Sequence, residues 1–122
     1  MLLLTQPIAT QTSDGSILDL NVEKTDVHIP PKAVYYADQL STTNYVGCKW
    51  LISLSQNGKA QTLEVFATFL TVSGDAKYTI YGKVGDSMDV DVSVDIIESR
   101  GTLVVTNNEN YQLRIVLVRI PL

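Results

Sequence analysis

The sequence predicts an all-β protein, an antiparallel β-sandwich that is jelly-roll-like or meander-rich, with an extended N-terminal arm. From about Tyr45 onward, apolar and polar residues alternate at period two, and turn residues separate the alternating runs. Helical periodicity is absent from this part of the chain. A length of 122 residues with 45% hydrophobic residues suits one domain whose core needs neither disulfide nor metal.

The N-terminal third alternates less regularly than the rest. We expect residues 1–15 to form the extended arm and residues 16–122 to form the single sandwich domain. Two short strands are predicted at residues 17–20 and 34–36, separated by consecutive prolines. A short helix begun by those prolines is the alternative for the second segment. We favour a strand there because valine and tyrosine are enriched in strands.

The clearest hairpin turn is Asn57-Gly58, since both residues tolerate the positive φ angles of a type I′ turn. A two-residue loop at this point places four apolar pairs on one face: Val46–Phe69, Cys48–Ala67, Trp50–Val65 and Ile52–Leu63. A slip of one residue would turn one apolar set toward water, so the register is well specified. We therefore expect Cys48 and Trp50 in the core.

Three aspartates, Asp89, Asp91 and Asp95, alternate with valines in the segment SMDVDVSVDIIES. We expect this segment to pair with the preceding strand across a loop of three residues, because a two-residue loop would mix apolar and polar faces. The three-residue loop places Lys83 opposite Asp89 and Lys77 opposite Asp95. We interpret the aspartates as a solvated or lysine-paired strand face, because a flat face cannot supply the six to eight oxygens that Ca²⁺ takes.

The remaining turns are predicted at ESRGT and NNEN, with Gly101 in a left-handed position. This arrangement pairs Ile96 with Val104 and brings Val104 beside Leu113 in a last hairpin. The final strand is apolar on both sides. In other strands, the alternation predicts that four further apolar residues face away from the core: Leu51, Phe66, Leu103 and Val105. We expect these residues to form a second covered surface, either within a sandwich or between subunits.

Several function classes lack support in the sequence. A net charge of −4 with scattered basic residues argues against nucleic acid as a partner, and no apolar run is long enough to span a membrane. The chain has one cysteine and one histidine, His28, and it lacks the spacings of nucleophile, phosphate-binding and metal motifs. We expect no enzyme activity, no catalytic residue, no metal and no cofactor. We also expect synthesis in the cytosol, since no signal peptide is evident.

Several strand motifs resemble small β-sandwich domains in structural proteins of tailed bacteriophages, notably cyanophages. The motifs are Lys49-Trp50, Glu64-Val65, the pair Tyr78 and Tyr81, and the closing LVVTNN with the apolar strand that follows. The likeness runs from about residue 33 to residue 121. It implies a virion component without enzymatic activity.

Among virion roles, we expect a capsid decoration or cement protein, trimeric and bound to the major capsid protein or to other virion proteins. A tail, baseplate or fibre subunit is the alternative, and a carbohydrate-binding module is a more distant one. Such a module would need two or more coplanar exposed aromatic rings. The residues expected at the protein interface are those of the arm and of the outward apolar positions: Leu2, Leu3, Leu4, Pro7, Ile8, Phe66, Val116, Val118 and Ile120.

Overall fold

The computed structural model describes residues 24–122, and over this part the chain forms eight β-strands and no helix. The predicted arm and the strand predicted at residues 17–20 lie outside the described residues. The strands are β1 (Lys24–Ile29), β2 (Val34–Ser41), β3 (Gly47–Gln56), β4 (Lys59–Leu70), β5 (Asp75–Gly85), β6 (Val90–Ile97), β7 (Arg100–Asn107) and β8 (Leu113–Pro121).

The strands form two antiparallel sheets, which confirms the predicted all-β class. One sheet has five strands in the order β1-β8-β3-β4-β5, and the other has three in the order β2-β7-β6. Three connections are hairpins within a sheet, β3–β4, β4–β5 and β6–β7, whereas the other four cross between the sheets. The segment at residues 34–36 belongs to a strand, as predicted, and so does the segment ahead of the prolines.

The β3–β4 hairpin has the predicted register. Trp50 lies opposite Val65 and Ile52 opposite Leu63, and the turn residues Asn57 and Gly58 have φ angles of 46° and 79°. At the open end of the hairpin Val46 lies opposite Phe69, as predicted, but its side chain is not on the buried face. Val46 precedes the strand and is 71% exposed, although its carbonyl still accepts a hydrogen bond of 2.8 Å from the backbone N–H of Phe69.

The predicted pairing of β5 with β6 is wrong, and Lys83 does not lie opposite Asp89. Strand β5 pairs with β4, and β6 pairs with β7 in the other sheet. The chain leaves β5 at Gly85, which has a φ of 111° and packs so close to β4 that a Cβ there would lie 2.3 Å from the carbonyl oxygen of Ala60. A backbone hydrogen bond fixes the chain where it leaves β5: the N–H of Asp86 donates to the same carbonyl oxygen at 2.8 Å.

The β6–β7 hairpin exists, but its predicted turn is wrong. Glu98 and Ser99 form a two-residue turn with φ angles of 51° and 63°, so Ile96 lies opposite Gly101 and not opposite Val104. This shift reverses the expected faces of β7. Leu103 and Val105, which were expected to face outward, are fully buried in the core: both have 0% exposure.

The predicted last hairpin is also wrong, because β7 and β8 belong to different sheets. The NNEN segment carries the chain from one sheet to the other, and β8 lies between β1 and β3. The inner face of β8 is as predicted: Leu113, Ile115 and Leu117 are buried in the core between the sheets. The outer face of β8 therefore belongs to the exposed side of the five-stranded sheet.

Candidate interaction surfaces

The outer face of the five-stranded sheet carries a strip of exposed apolar side chains. Phe66, Ile120 and Leu51 are 46%, 43% and 39% exposed, and Val116 and Val118 beside them are half-buried. The four interface residues predicted within β4 and β8 thus share one face. The strand register explains their proximity, because it places the β8 valines directly opposite outward positions of β3.

An open groove of about 290 Å³ lies at one part of this apolar strip. Leu51, Val116 and Val118 supply its apolar wall, and Thr62 lines the other side. Gly82, which has a φ of 66°, also lines the groove near a register shift between β4 and β5. Because Gly82 has no side chain, the groove stays open on that side.

Two ion pairs lie on the same face, Lys49–Glu64 and Asp26–Arg114, and Lys24 is exposed opposite Val118. Lys49 Nζ lies 3.0 Å from Glu64 Oε1 and 5.8 Å from the centre of the Tyr81 ring. The hydrogen bonds that Lys49 donates to Glu64 and then to Tyr81 raise the pKa of Lys49, and the bond from Lys49 lowers the pKa of Glu64. These residues belong to the motifs that carried the phage resemblance. Their pairing leaves the apolar strip beside a locally neutral cluster.

A second surface is the polar cleft of about 650 Å³ at the end of the sandwich where the chain crosses between sheets. Asp89, just before β6, and Asp91, within it, lie near this cleft and bind an asparagine, whereas Asp89 was predicted to lie opposite a lysine. Asn108 Nδ2 donates to Asp91 Oδ2 at 2.9 Å and to Asp89 Oδ1 at 3.3 Å. Among residues 24–122, no group of three or more acidic, histidine or cysteine side chains is placed to hold a metal ion.

The third surface is the first half of β2, where three consecutive large side chains reach solvent. Val34, Tyr35 and Tyr36 are 61%, 39% and 51% exposed, and an open hollow of about 420 Å³ lies over them. Sequence reasoning predicted the strand but did not single out these residues as a surface. Three apolar or aromatic residues in succession, without the alternation seen in β3, were the available signal.

Sequence reasoning also missed Asp38, which joins the two sheets from the interior. Trp50 Nε1 donates to Asp38 Oδ2 at 2.9 Å, and Arg119 Nη1 lies 3.3 Å from Asp38 Oδ1. The Asp38 side chain is only 14% exposed. The acceptor on β2 and the donors on β3 and β8 therefore fix one sheet against the other. An acidic residue within the apolar run VYYADQL was the only hint.

The two residues that sequence reasoning considered as chemical candidates lie apart. His28 is exposed on β1, opposite Arg114. Cys48 is buried in the core, as predicted, and burial raises the pKa of its thiol to about 12. A protonated thiol without solvent access is a weak nucleophile. No helix within residues 24–122 could cross a membrane.

Comparison with known proteins identifies the fold. No family model and no curated protein matches the chain. Among solved structures, the tailspike protein of Acinetobacter phage vB_ApiP_P1 is similar over 99% of this chain, with a TM-score of 0.52 and 13% identity. The tailspike of Acinetobacter baumannii phage AM24 aligns over 84% of it, with a TM-score of 0.44 and 6% identity. The chain spans about a quarter of each tailspike, 27% and 26%. At 13% identity, the similarity to the tailspike of phage vB_ApiP_P1 shows only that this chain shares the fold of one portion of that protein.

Proposed function

We propose that the chain is a non-enzymatic structural protein of a phage virion and that it serves as a tail component. The observation that carries this proposal is the likeness to a phage tailspike, which covers 99% of this chain but only 27% of the tailspike. The chain thus corresponds in size to one module of a larger tail protein. The strand motifs at Lys49, Glu64 and Tyr81, which resemble those of phage structural proteins, support the same class.

A tail position fits the comparisons better than the capsid decoration or cement role expected from the sequence. The solved structure that shares the fold is a tailspike. The tail, baseplate or fibre subunit, first held as the alternative, therefore becomes the main proposal.

The outer face of the five-stranded sheet is the surface that we assign to attachment within the tail. Its apolar strip includes four of the predicted interface residues, and two ion pairs on the face, Lys49–Glu64 and Asp26–Arg114, are already formed within the chain. Covering the apolar strip buries apolar area without separating these two pairs, and an unpaired buried charge is the costly outcome at an interface.

The proposal assigns no catalytic residue. The described groups with shifted pKa values owe the shifts to pairs on the sheet face or, for Cys48, to burial in the core. Each shift therefore has a structural cause, and the tail role needs only binding.

Immunogold labelling of intact particles of the encoding phage, with an antibody raised against the purified full chain, tests the tail position. We expect gold particles at the tail. Labelling over the head would refute the tail role and restore the decoration role, and the absence of label in particles shown by mass spectrometry to contain the chain would require a buried position.

The attachment face is tested by Val118→Glu, which puts a charge into the apolar groove. We expect the variant to be lost from assembled particles when it replaces the wild-type chain. Val72→Glu is the matched control, because Val72 lies in the β4–β5 turn and is fully exposed. Equal incorporation of both variants would remove the groove from the proposal.

A further inference from the structure

The two-residue loop between β3 and β4 places an exposed asparagine directly before a glycine. Asn57 and Gly58 form this loop, and both residues are exposed. The amide carbon of an asparagine side chain is an electrophile, and the backbone nitrogen of the following residue can attack it to close a five-membered ring. A glycine leaves that nitrogen uncrowded, because it has no side chain. The loop therefore combines an accessible amide with an accessible nucleophile.

The backbone nitrogen of Gly58 takes no part in the β-ladder. Gln56 pairs with Lys59 across the loop, so the ladder uses the backbone groups of these two residues and not the N–H at the tip. A Cβ built on Gly58 would meet nothing within 4 Å, so the space on that side is open. Neither the ladder nor a packed side chain therefore protects this nitrogen.

The other asparagines are less suited to the same reaction. Each precedes a residue with a side chain: Asn21, Asn44, Asn107, Asn108 and Asn110. Asn107 is also fully buried, and its Nδ2 donates to the backbone carbonyl of Tyr111 at 2.7 Å. The Nδ2 of Asn108 donates to two aspartates, at 2.9 and 3.3 Å. These contacts hold both amides away from attack, whereas Asn57 lies at an exposed loop tip.

We propose that Asn57 is a modification site, at which water converts the side-chain amide to a carboxylate through a cyclic imide formed with Gly58. In the first step, the Gly58 nitrogen loses its proton to solvent and bonds to Asn57 Cγ, and the amide nitrogen takes up a proton and leaves as ammonia. In the second step, water adds to one of the two ring carbonyls and breaks its bond to the Gly58 nitrogen. One amide and one water thus give one carboxylic acid and one ammonia, without an oxidant or a reductant.

The two ways of opening the ring give different backbones. Opening at the side-chain carbonyl gives aspartate, which suits a type I′ turn before glycine. Opening at the backbone carbonyl gives isoaspartate, in which the chain runs through the former side chain and the loop gains one backbone atom. Because the two-residue loop fixes the register of β3 against β4, the second product disturbs the pairing that the loop sets.

Gln56, the residue before the site, carries this disturbance into the fold. Its side chain is buried, and Nε2 donates at 2.9 Å both to Asn107 Oδ1 and to the backbone carbonyl of Tyr111. These bonds join the β3–β4 hairpin to the segment that crosses between the sheets. A buried amide that loses its partners destabilises the folded state. We therefore expect the isoaspartate form to be less stable, although the site itself is exposed.

Peptide mapping of the aged full chain tests the site, and its outcome does not depend on the tail role. The chain is held at pH 8, digested, and analysed by mass spectrometry for the exchange of an amino group for a hydroxyl at each asparagine. We expect Asn57 to change before every other asparagine. Earlier change at another asparagine, or an unchanged Asn57 after a free peptide of residues 52–63 has fully converted, would overturn the proposal.

Gly58→Asn tests the attacking nitrogen. Asparagine also tolerates a positive φ, so the turn is kept, but its side chain crowds the nitrogen. We expect the deamidation of Asn57 to slow by about tenfold, which corresponds to a barrier higher by ~1.4 kcal/mol. Circular dichroism checks that the variant folds. An unchanged rate would overturn the route through the cyclic imide.

Asn57→Asp separates the added charge from the added backbone atom. This variant has the charge of the modified chain and an ordinary backbone, so we expect it to melt at the temperature of the wild type. The isoaspartate form, purified from the aged chain by ion exchange, should melt about 5 °C lower. Equal melting temperatures for this form and Asn57→Asp would overturn the expected effect on the hairpin.

Discussion

The described part of the chain, residues 24–122, contains two aspartate–arginine pairs that differ more in location than in chemistry. Asp26 and Arg114 meet on the outer face of the five-stranded sheet through two hydrogen bonds of 3.0 and 2.7 Å, and both side chains are about half exposed. Asp38 and Arg119 are 3.3 Å apart, but the carboxylate is 14% exposed and also accepts the indole N–H of Trp50. The pair with the better hydrogen-bond geometry, Asp26–Arg114, is thus the more exposed to solvent.

The difference shows that burial and connectivity, not contact length, decide how much such a pair stabilises the fold. The outer pair joins β1 to β8 within one sheet, where the backbone ladder already holds them. The inner pair joins one sheet to the other, and no backbone ladder does so. Water can replace the partner of an exposed charge, whereas a half-buried charge or a buried indole N–H left alone pays for its desolvation.

The largest effect is expected from Asp38→Ala. The variant leaves the Trp50 indole and the Arg119 guanidinium without their carboxylate, and we expect a loss of about 2 to 4 kcal/mol in the free energy of unfolding. Urea denaturation measures this loss. Asp38→Asn keeps an oxygen for the indole but loses the charge, so it should cost less. An equal loss of stability in Asp26→Ala and Asp38→Ala would contradict the view that the inner pair stabilises the fold more than the outer pair.

A second test contrasts the packing on the inner and outer sides of the sandwich. A Cβ on Gly101 would lie 2.2 Å from the ring of Phe69, which is only 6% exposed, so the ring has no room to move. We expect Gly101→Ala to cost about 1 to 3 kcal/mol through overpacking. In denaturation experiments the cost should fall in a Phe69→Leu background, and additive effects of the two changes would argue against this contact.

Gly82 supplies the outer-side control for this test. A Cβ there would meet Glu64 no closer than 3.9 Å, although its φ of 66° disfavours other residues. Gly82→Ala should therefore cost about 1 kcal/mol, from backbone strain alone. A cost that depends on the residue at position 64 would show that the outer face is packed more tightly than its groove indicates.

Much of the fold could be predicted from the sequence, but the strand partners could not. Alternation with period two predicts that a segment is a strand and which residues share a face, and it gave the β3–β4 register because Asn57-Gly58 fixed the loop length. Every antiparallel neighbour satisfies the same alternation equally well. The pattern therefore could not tell that β6 leaves β5 and joins β7 in the other sheet.

The candidate surfaces were predicted only where they depend on strand faces. Phe66, Val116, Val118 and Ile120 lie on one face, as their alternation implied. The Asp38 link required knowledge that β2 lies across from β3 and β8, which depends on long-range topology. The position of β2 at the edge of its sheet likewise becomes visible only when the strand order is known.

The reactivity of Cys48 reports whether water reaches the core near Asp38. Its thiol pKa, raised by burial from 9.0 to about 12, implies that the folded chain binds this proton more tightly than the unfolded chain. The resulting stabilisation is complete below pH 9 and is lost as the pH rises toward 12. Stability measured across this range should fall more steeply for the wild type than for Cys48→Ala. At pH 8 an alkylating reagent should modify Cys48 only after unfolding, and rapid modification of the folded chain would mean that water reaches it.

The smallest effect on stability is expected at the outer pair, Asp26 and Arg114. The pKa of Asp26 makes this contact measurable, even though the contact hardly stabilises the fold. The hydrogen bond from Arg114 holds the pKa of Asp26 below its usual value of 3.8. A carboxyl whose pKa is lowered by folding stabilises the folded state above its ordinary pKa, and this contribution is lost as the pH falls through the lowered value. An NMR titration of the Asp26 carboxyl should show the low pKa in the wild type and a return toward 3.8 in Arg114→Gln, with little change in unfolding at pH 7. If Arg114→Gln leaves the pKa unchanged, the arginine is not the cause. If it instead destabilises the protein as strongly as Asp38→Ala, exposure does not separate the two pairs, because both would then stabilise the fold to the same degree.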